Sequence, residues 1–328
     1  MGFISRRLSA PLLGSVAAAA SLAMLATNAH AVTLNGAWAP FTRCPVDSAA
    51  MLATDGINTN SVCVANDSTS GSIKIGKMQL IKLGPIQIGN APVTAGRSNL
   101  QIGAVEMTGN LTDIDGTVSP PGGAVLSDPA EVPGGLLGLI CSGYDPVITP
   151  LCNLITNNDL NRVTATLVSA GAPSDLNLIA ATRVGLPILT LPVKIKLNHF
   201  LLGNNCFIGS DSNPILLHPR NSQIAEAYAS TYDLDGNENI DSGVLYSAAV
   251  KSTQLDDTFS VPAASGCGTI PFVIDAVLNL KQGLPAASGV NRLELKDVSG
   301  ATIFATAPDG TVPGINFMNG WNSAIISP

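Results

Sequence analysis

The residues with the most suggestive spacing for chemistry lie between Asp233 and Asp241. Asp233, Asp235, Asn237, Asn239 and Asp241 alternate along Asp233-Leu234-Asp235-Gly236-Asn237-Glu238-Asn239-Ile240-Asp241. They fall at the first, third, fifth, seventh and ninth places of a calcium-binding loop, and a hard cation takes six to eight oxygen ligands from such alternate positions. Ca2+ is therefore the candidate cofactor. Two departures weigh on the other side. Glu238 stands where the loop needs glycine for its sharp turn, and Val244 where a bidentate glutamate closes the shell. The competing reading is a polar hairpin loop that feeds a strand over Val244–Val250.

Residues for acid–base or nucleophilic catalysis are sparse. Beyond the first 31 residues the histidines are His199 and His218. With Asp211 and one of many serines they have the composition of a hydrolase triad, but geometry defines such a site and their spacing does not select it. No G-x-S-x-G elbow and no G-x-x-x-x-G-K-S/T loop occurs. Asp256 and Asp257 are adjacent, so on a strand they point to opposite faces and do not act as a pair. No catalytic residue is assigned. Asn66-Asp67-Ser68 and Asn110-Leu111-Thr112 fit the glycosylation triplet, a pattern common by chance.

The six cysteines, Cys44, Cys63, Cys141, Cys152, Cys206 and Cys267, are even in number. In an exported chain that reads as a disulfide framework. Sequential pairing is expected: Cys44–Cys63, Cys141–Cys152 and Cys206–Cys267. The last closes the longest loop and is expected to stabilise most, by about 4 kcal/mol on the chain-entropy model. No C-x-x-C pair is present, which disfavours zinc.

Export is read from the N-terminus. Arg6 and Arg7 precede an uncharged apolar stretch, Leu12–Ala26, and Ala29-His30-Ala31 has the form of a cleavage site, so residues 1–31 are expected to be a signal peptide. The stretch is shorter than the roughly 20 residues of a spanning helix. Leu8, Ser9 and Ala10 after the arginine pair point to general secretion rather than the twin-arginine route. No lipid-anchor cysteine and no membrane span after signal cleavage are expected. Losing Arg6 and Arg7 moves the net charge from −7 to −9. With no basic cluster to displace counterions, no nucleic acid partner is expected. Charged residues are 12 %, against about 25 % in ordinary domains. An exported chain with so little charge and so many aliphatics suits contact with a lipid or envelope component, or a structural role.

Short apolar alternation dominates after Ile73. Ile73 and Ile75, Met78 and Leu80, and Ile86 and Ile88 are each two apart. So are Val163, Ala165 and Leu167; Val193, Ile195 and Leu197; Val244, Tyr246, Ala248 and Val250; Leu293 and Leu295; and Ile303 and Ala305. A period of two places each set on one face of a half-buried strand. The expected fold class is mainly β, an antiparallel β-sandwich-like architecture with a few short helices. Helices are predicted over Gly134–Cys141, Pro146–Ile155, Gln223–Tyr232 and Pro271–Gln282. In the last, Phe272, Ala276 and Leu280 recur at spacing four and Gly283 stops the run. Four prolines and four glycines between Val118 and Gly135 mark a loop or linker over 118–135. It would separate β-rich segments over 32–117 and 136–328, which could still form one domain. Trp38, Phe41, Phe317 and Trp321 are expected to pack as a seam joining the termini, in preference to a sugar-stacking platform.

Trp38-Ala39-Pro40-Phe41-Thr42-Arg43-Cys44-Pro45-Val46 resembles the opening of a group of secreted actinobacterial proteins. So do Asp257-Thr258-Phe259-Ser260-Val261-Pro262-Ala263-Ala264-Ser265-Gly266-Cys267-Gly268 and Gly283-Leu284-Pro285-Ala286-Ala287-Ser288-Gly289. The resemblance implies export, disulfides and a β-rich fold; it carries no activity and no catalytic residue. Taken together, the expected function is a non-enzymatic, secreted or cell-envelope protein that binds an apolar or envelope ligand. The alternatives are a calcium-stabilised adhesive module and a secreted hydrolase.

Overall fold

Residue alternation builds two antiparallel sheets that share one core. The computed structural model describes residues 32–326, except 43, 57, 79–80, 84–85, 89–90, 94–97, 108–124, 142–148, 154, 156–157, 234–237, 240–243, 269–270 and 307–312. These residues belong to one compact unit, Ala31–Pro328. The chain opens with a 3-10 turn, Gly36–Trp38, and a short helix α1 (Ala49–Leu52). Strands β1 (Thr59–Lys74), β2 (Ile81–Leu83), β3 (Ile86–Ile88), β4 (Ala91–Val93), β5 (Ser98–Met107) and β6 (Ala130–Glu131) follow. Next come α2 (Gly135–Ile140), α3 (Thr149–Cys152), α4 (Asn158–Asn161), β7 (Thr164–Ser169), α5 (Leu178–Ala181) and β8 (Leu191–Asn198). The last part holds β9 (Phe207–Ile208), β10 (Ile215–Leu217), β11 (Arg220–Tyr232), β12 (Val244–Asp256), β13 (Ala264–Ser265), α6 (Pro271–Gln282), β14 (Arg292–Thr306) and α7 (Pro313–Ser323).

The first sheet runs β11-β12-β14-β1-β2, and β5 also pairs with β1. β1 is long enough to hold two partners on one edge, β5 along Thr59–Ser68 and β2 along Gly71–Ile73. The second sheet runs β13-β9-β8-β7-β6, with β10 beside β9 on the same edge of β8. β3 and β4 form a separate hairpin. All these strand pairs are antiparallel. In β8, Leu191, Val193, Ile195 and Leu197 are buried while Lys194 and Lys196 lie at the surface side, the alternation expected of a half-buried strand. Of the 118–135 segment, 118–124 lie outside the described residues. From Val125 onward it runs along β7, through a bridge to Val168 and the β6–β7 pairing.

The first sheet is covered on both faces. One face meets the second sheet, where Ile73, Leu293 and Leu295 join Val193, Ile195 and Leu217 in the main core. The other face carries Cys63, Ala65, Leu245 and Ile303 into a second cluster with Trp38, Phe41, Met51 and Phe317. Leu293 and Ile303 share a period-two series in sequence yet enter different clusters. Between them Asp297 adopts φ 51°, a left-handed conformation in which aspartate is tolerated, and interrupts the pleat. Two-sided cover also corrects the expectation for β12. Val250 is buried, but Tyr246 is 38 % exposed and stacks on Phe304, while Leu245 of the opposite face is fully buried.

The aromatic seam forms as expected. The Trp38 ring meets Phe317 edge-on at 4.8 Å, and Trp321 Nε1 donates to the Phe41 carbonyl at 2.8 Å. A bridge between Leu34 and Ile325 joins the two ends of the chain. Gly314 allows α7 to lie on α1, since a Cβ there would strike the Met51 carbonyl.

One helical expectation is corrected, one is borne out, and one helix was not foreseen. Gln223–Tyr232 is strand β11, paired along its length with β12 through register shifts at Asn221/Gln223 and Ile224/Glu226. Pro271–Gln282 is a helix with Gly283 ending it at φ 65°, but it buries Ile274 and Leu278 and leaves Leu280 76 % exposed. The buried face is the one turned to its neighbours α2 and β13. α7 is a helix that no sequence signal announced. α2 matches the Gly134–Cys141 expectation; within Pro146–Ile155 the described helix is Thr149–Cys152.

All six cysteines pair in sequence order: Cys44–Cys63, Cys141–Cys152 and Cys206–Cys267. Bonds of this kind persist in oxidising compartments. Among the described residues no helix is long and apolar enough to cross a membrane.

Candidate ligand cavity between the sheets

Between the two sheets lies a cavity of about 300 Å³. Its first wall is the inner face of the first sheet: Val64, Asn66 and Ile73 of β1, Leu293, Leu295, Gly300 and Phe304 of β14, and Ala248, Val250, Ser252 and Gln254 of β12. The opposite wall comes from Leu126, from Leu167 of β7, Leu191 of β8 and Leu217 of β10. Helix α5 and the segment after it close one side with Leu178, Ile179, Ala181, Thr182, Ile188 and Leu189. Asn177 caps α5, its side chain accepting from Ala180 N at 2.9 Å. The rim segment following α5 exposes Val184 and Leu186.

The lining is mostly aliphatic, with polar groups fixed in place. The amides of Asn66 and Gln254 pair reciprocally across β14, at 3.3 and 3.2 Å. Gly300 lies opposite both Asn66 and Val250 in the sheet and presents no side chain there. Asn221 at the start of β11 is 1 % exposed. Its Nδ2 donates to the carbonyls of Ala181 at 2.8 Å and Arg183 at 3.2 Å, which ties the rim segment to the first sheet. Its Oδ1 has no hydrogen-bond partner among the described residues. Among these residues no charged side chain lines the cavity.

No family model, characterised protein or solved structure matches this chain.

Arg220, next to Asn221, donates from Nη2 to Asp257 Oδ1 at 2.7 Å. That hydrogen bond, with the guanidinium charge, holds the Asp257 carboxyl below the usual range for aspartate against the opposing effect of desolvation. A carboxylate with a lowered folded pKa contributes stability above its unfolded pKa, and the contribution disappears as pH falls through the folded value. The wild type is therefore expected to lose more thermal stability than Asp257→Asn between about pH 5 and about pH 2. The pair is partly solvent-exposed, so the difference is small; parallel melts of the two proteins across that range test it.

Asp233 is buried directly after β11 and Asn239 is exposed. Asp235, Asn237 and Asp241 lie outside the described residues, as does the rest of 240–243. Among the described residues no group of three His, Cys, Asp or Glu side chains converges. His199 has both ring nitrogens engaged by backbone: Nδ1 accepts from Leu201 N at 3.1 Å and Nε2 lies 2.8 Å from the Leu160 carbonyl, to which it donates in the tautomer this requires. Asp211 pairs with Lys194 at 2.7 Å rather than with an imidazole. Asp256 is buried and accepts from the backbone of His218 and from Thr258, while Asp257 turns outward to Arg220. Asn66 of the glycosylation triplet lines the cavity in mid-strand.

The residues that sequence reading missed are those of the cavity. Asn221 sits in the run Pro219-Arg220-Asn221-Ser222, which carries no local signal of a site.

Proposed function

We propose that this chain is an exported, non-enzymatic protein that holds an apolar molecule, a lipid or other envelope component, between its two sheets. The observation that carries the reading is the aliphatic cavity of about 300 Å³. Apolar wall left uncovered forgoes about 25 cal/mol for each Å² that could have been buried, a loss that an apolar occupant recovers. The volume falls at the small end of the range for ligand pockets, and the lining, mostly apolar with a few fixed polar groups, has their usual character. The apolar run before Ala29-His30-Ala31, the three disulfides and the sparse charge all favour a place outside the cytoplasm.

Two measurements test it. An organic extract of the protein purified from its native host is expected to contain one apolar species in near-stoichiometric amount by mass spectrometry. Binding of the neutral fluorophore N-phenyl-1-naphthylamine is expected to weaken at least tenfold in the double variant Ala248→Phe, Val250→Phe. Both side chains lie on the cavity wall, and excluding about 60 Å² of apolar ligand surface removes roughly 1.5 kcal/mol. The variant's unfolding midpoint should hold or rise, since new rings enter empty space. A clean extract together with undiminished fluorophore binding in the folded variant rules the reading out.

A further inference from the structure

The rim of the cavity carries an apolar run that the fold leaves in water. Val184, Gly185, Leu186 and Pro187 follow one another in the segment after α5, and all four are exposed, Val184 at 58 % and Leu186 at 43 %. Four consecutive exposed apolar residues are a fault in a sequence unless they serve a function. The run is firmly tied at its base. Gly185 N donates to the Asn221 carbonyl and Ile188 N to the Pro219 carbonyl, each at 2.9 Å. The Asn221 amide holds the carbonyls of Ala181 and Arg183. Gly185 takes φ 87°, and a Cβ there would meet nothing within 4 Å, so the chain bends in open space between Val184 and Leu186. The same segment reaches the cavity: Ile179 and Thr182 line it and are themselves exposed.

Resting on the reading of the cavity as a site for an apolar ligand, we propose that this rim docks on a lipid bilayer. Val184 and Leu186 enter the boundary between headgroups and acyl chains, and the ligand passes between bilayer and cavity beside them. An apolar molecule is costly to hold in water, so its store outside the protein is a membrane, and a mouth set against that membrane spares it the aqueous step. The size of the patch favours a bilayer over a protein. A stable protein interface takes about 800 Å² from each partner, whereas the apolar run is four residues long and is flanked by exposed Thr182, Arg183, Ser222 and Gln223. A bilayer accepts a small wedge without matching its shape. The charge of the segment agrees. Arg183 is the one charged residue between Asp175 and Lys194, in a chain of net charge −7. A guanidinium suits lipid phosphates at the surface while its aliphatic neighbours go deeper, and the run holds no carboxylate that insertion would strip of water.

Vesicles of mixed phosphatidylcholine and phosphatidylglycerol test the assignment. The wild type is expected to float with them at millimolar lipid, and the double variant Val184→Asp, Leu186→Asp to associate at least about tenfold more weakly. Neither residue lines the cavity, so the variant should bind the neutral fluorophore in vesicle-free buffer as the wild type does. Leu280→Asp, which removes a 76 % exposed leucine from α6, should leave flotation unchanged. Leu186→Trp supplies a direct reporter, since the emission of the introduced tryptophan is expected to shift to the blue on vesicles and to be quenched by brominated acyl chains. Absence of wild-type flotation, undiminished flotation of the double variant, an equal loss in Leu280→Asp, or an unquenched introduced tryptophan each overturns the docking surface while leaving the cavity a ligand site. Failure of the wild type to bind the fluorophore instead overturns the reading on which the proposal rests. If the double variant does not fold, quenching in Leu186→Trp decides alone.

Discussion

Replacing Cys206 and Cys267 together by alanine is expected to lower the free energy of unfolding by about 4 kcal/mol, more than removal of the Cys141–Cys152 bridge, at about 3 kcal/mol. The ranking follows from loop length, because closing a longer loop removes more conformational freedom from the unfolded chain. The sequence separations are 61 residues for Cys206–Cys267 and 11 for Cys141–Cys152. The local structure adds to the argument. Both Cys206 and Cys267 are fully buried in the main core, flanking the pairing of β9 with β13. Asp275 of α6 accepts from Gly266 N and Cys267 N, and Gly268 N donates to the Leu202 carbonyl. Loss of the bridge therefore loosens the attachment of α6 as well. Urea unfolding of the two double variants measures the difference. A cost for the Cys206–Cys267 pair no larger than for Cys141–Cys152 would show that loop closure is not what this bridge contributes.

Trp38→Ala is expected to cost about 3–5 kcal/mol, the usual loss for a large buried ring truncated to a methyl group. The ring is fully buried, meets Phe317 edge-on, and belongs to the cluster that covers the outer face of the first sheet. That cluster lies on the face of the sheet opposite to the cavity. The variant should therefore unfold at lower urea while, where still folded, binding the neutral fluorophore as the wild type does. A stability loss below about 1 kcal/mol would mean that the ring's site collapses around the gap. Loss of fluorophore binding in the folded variant would mean that the two faces of the sheet are coupled.

Much of the framework was legible because its signals are local. In β8, aliphatic residues alternate with Lys194 and Lys196, and a strand buried on one face has no other arrangement that keeps both ammonium groups near water. The bounds of α6 were written in Pro271 and Gly283, since one favours a first turn and the other a left-handed stop. The six cysteines join in sequence order, and two of the three bridges close short local loops. The failures have physical reasons as specific. Ala225, Glu226, Ala227 and Ala229 favour a helix by propensity. β11 is instead an edge strand exposed for most of its length, whose conformation is imposed by the ladder to β12. The spacing that includes Leu280 marks a helix but not its buried face, and Leu280 is exposed because which face is covered depends on where α2 and β13 lie.

By itself, then, the order of residues pointed to the class of fold, to sequential pairing as the expected disulfide pattern and to the bounds of α2 and α6, because each of these signals is carried by residues close along the chain. The cavity was decided only by the tertiary structure. Its wall gathers residues from β1, β7, β8, β10, β11, β12, β14 and α5, separated by up to most of the chain. Whether two facing sheets leave a space depends on the summed volumes of side chains that are never neighbours in sequence. The same holds for Asn221. Its type was visible, but that both amide hydrogens are taken by Ala181 and Arg183, leaving Oδ1 buried and unmet, exists only once β11 and the rim segment are side by side.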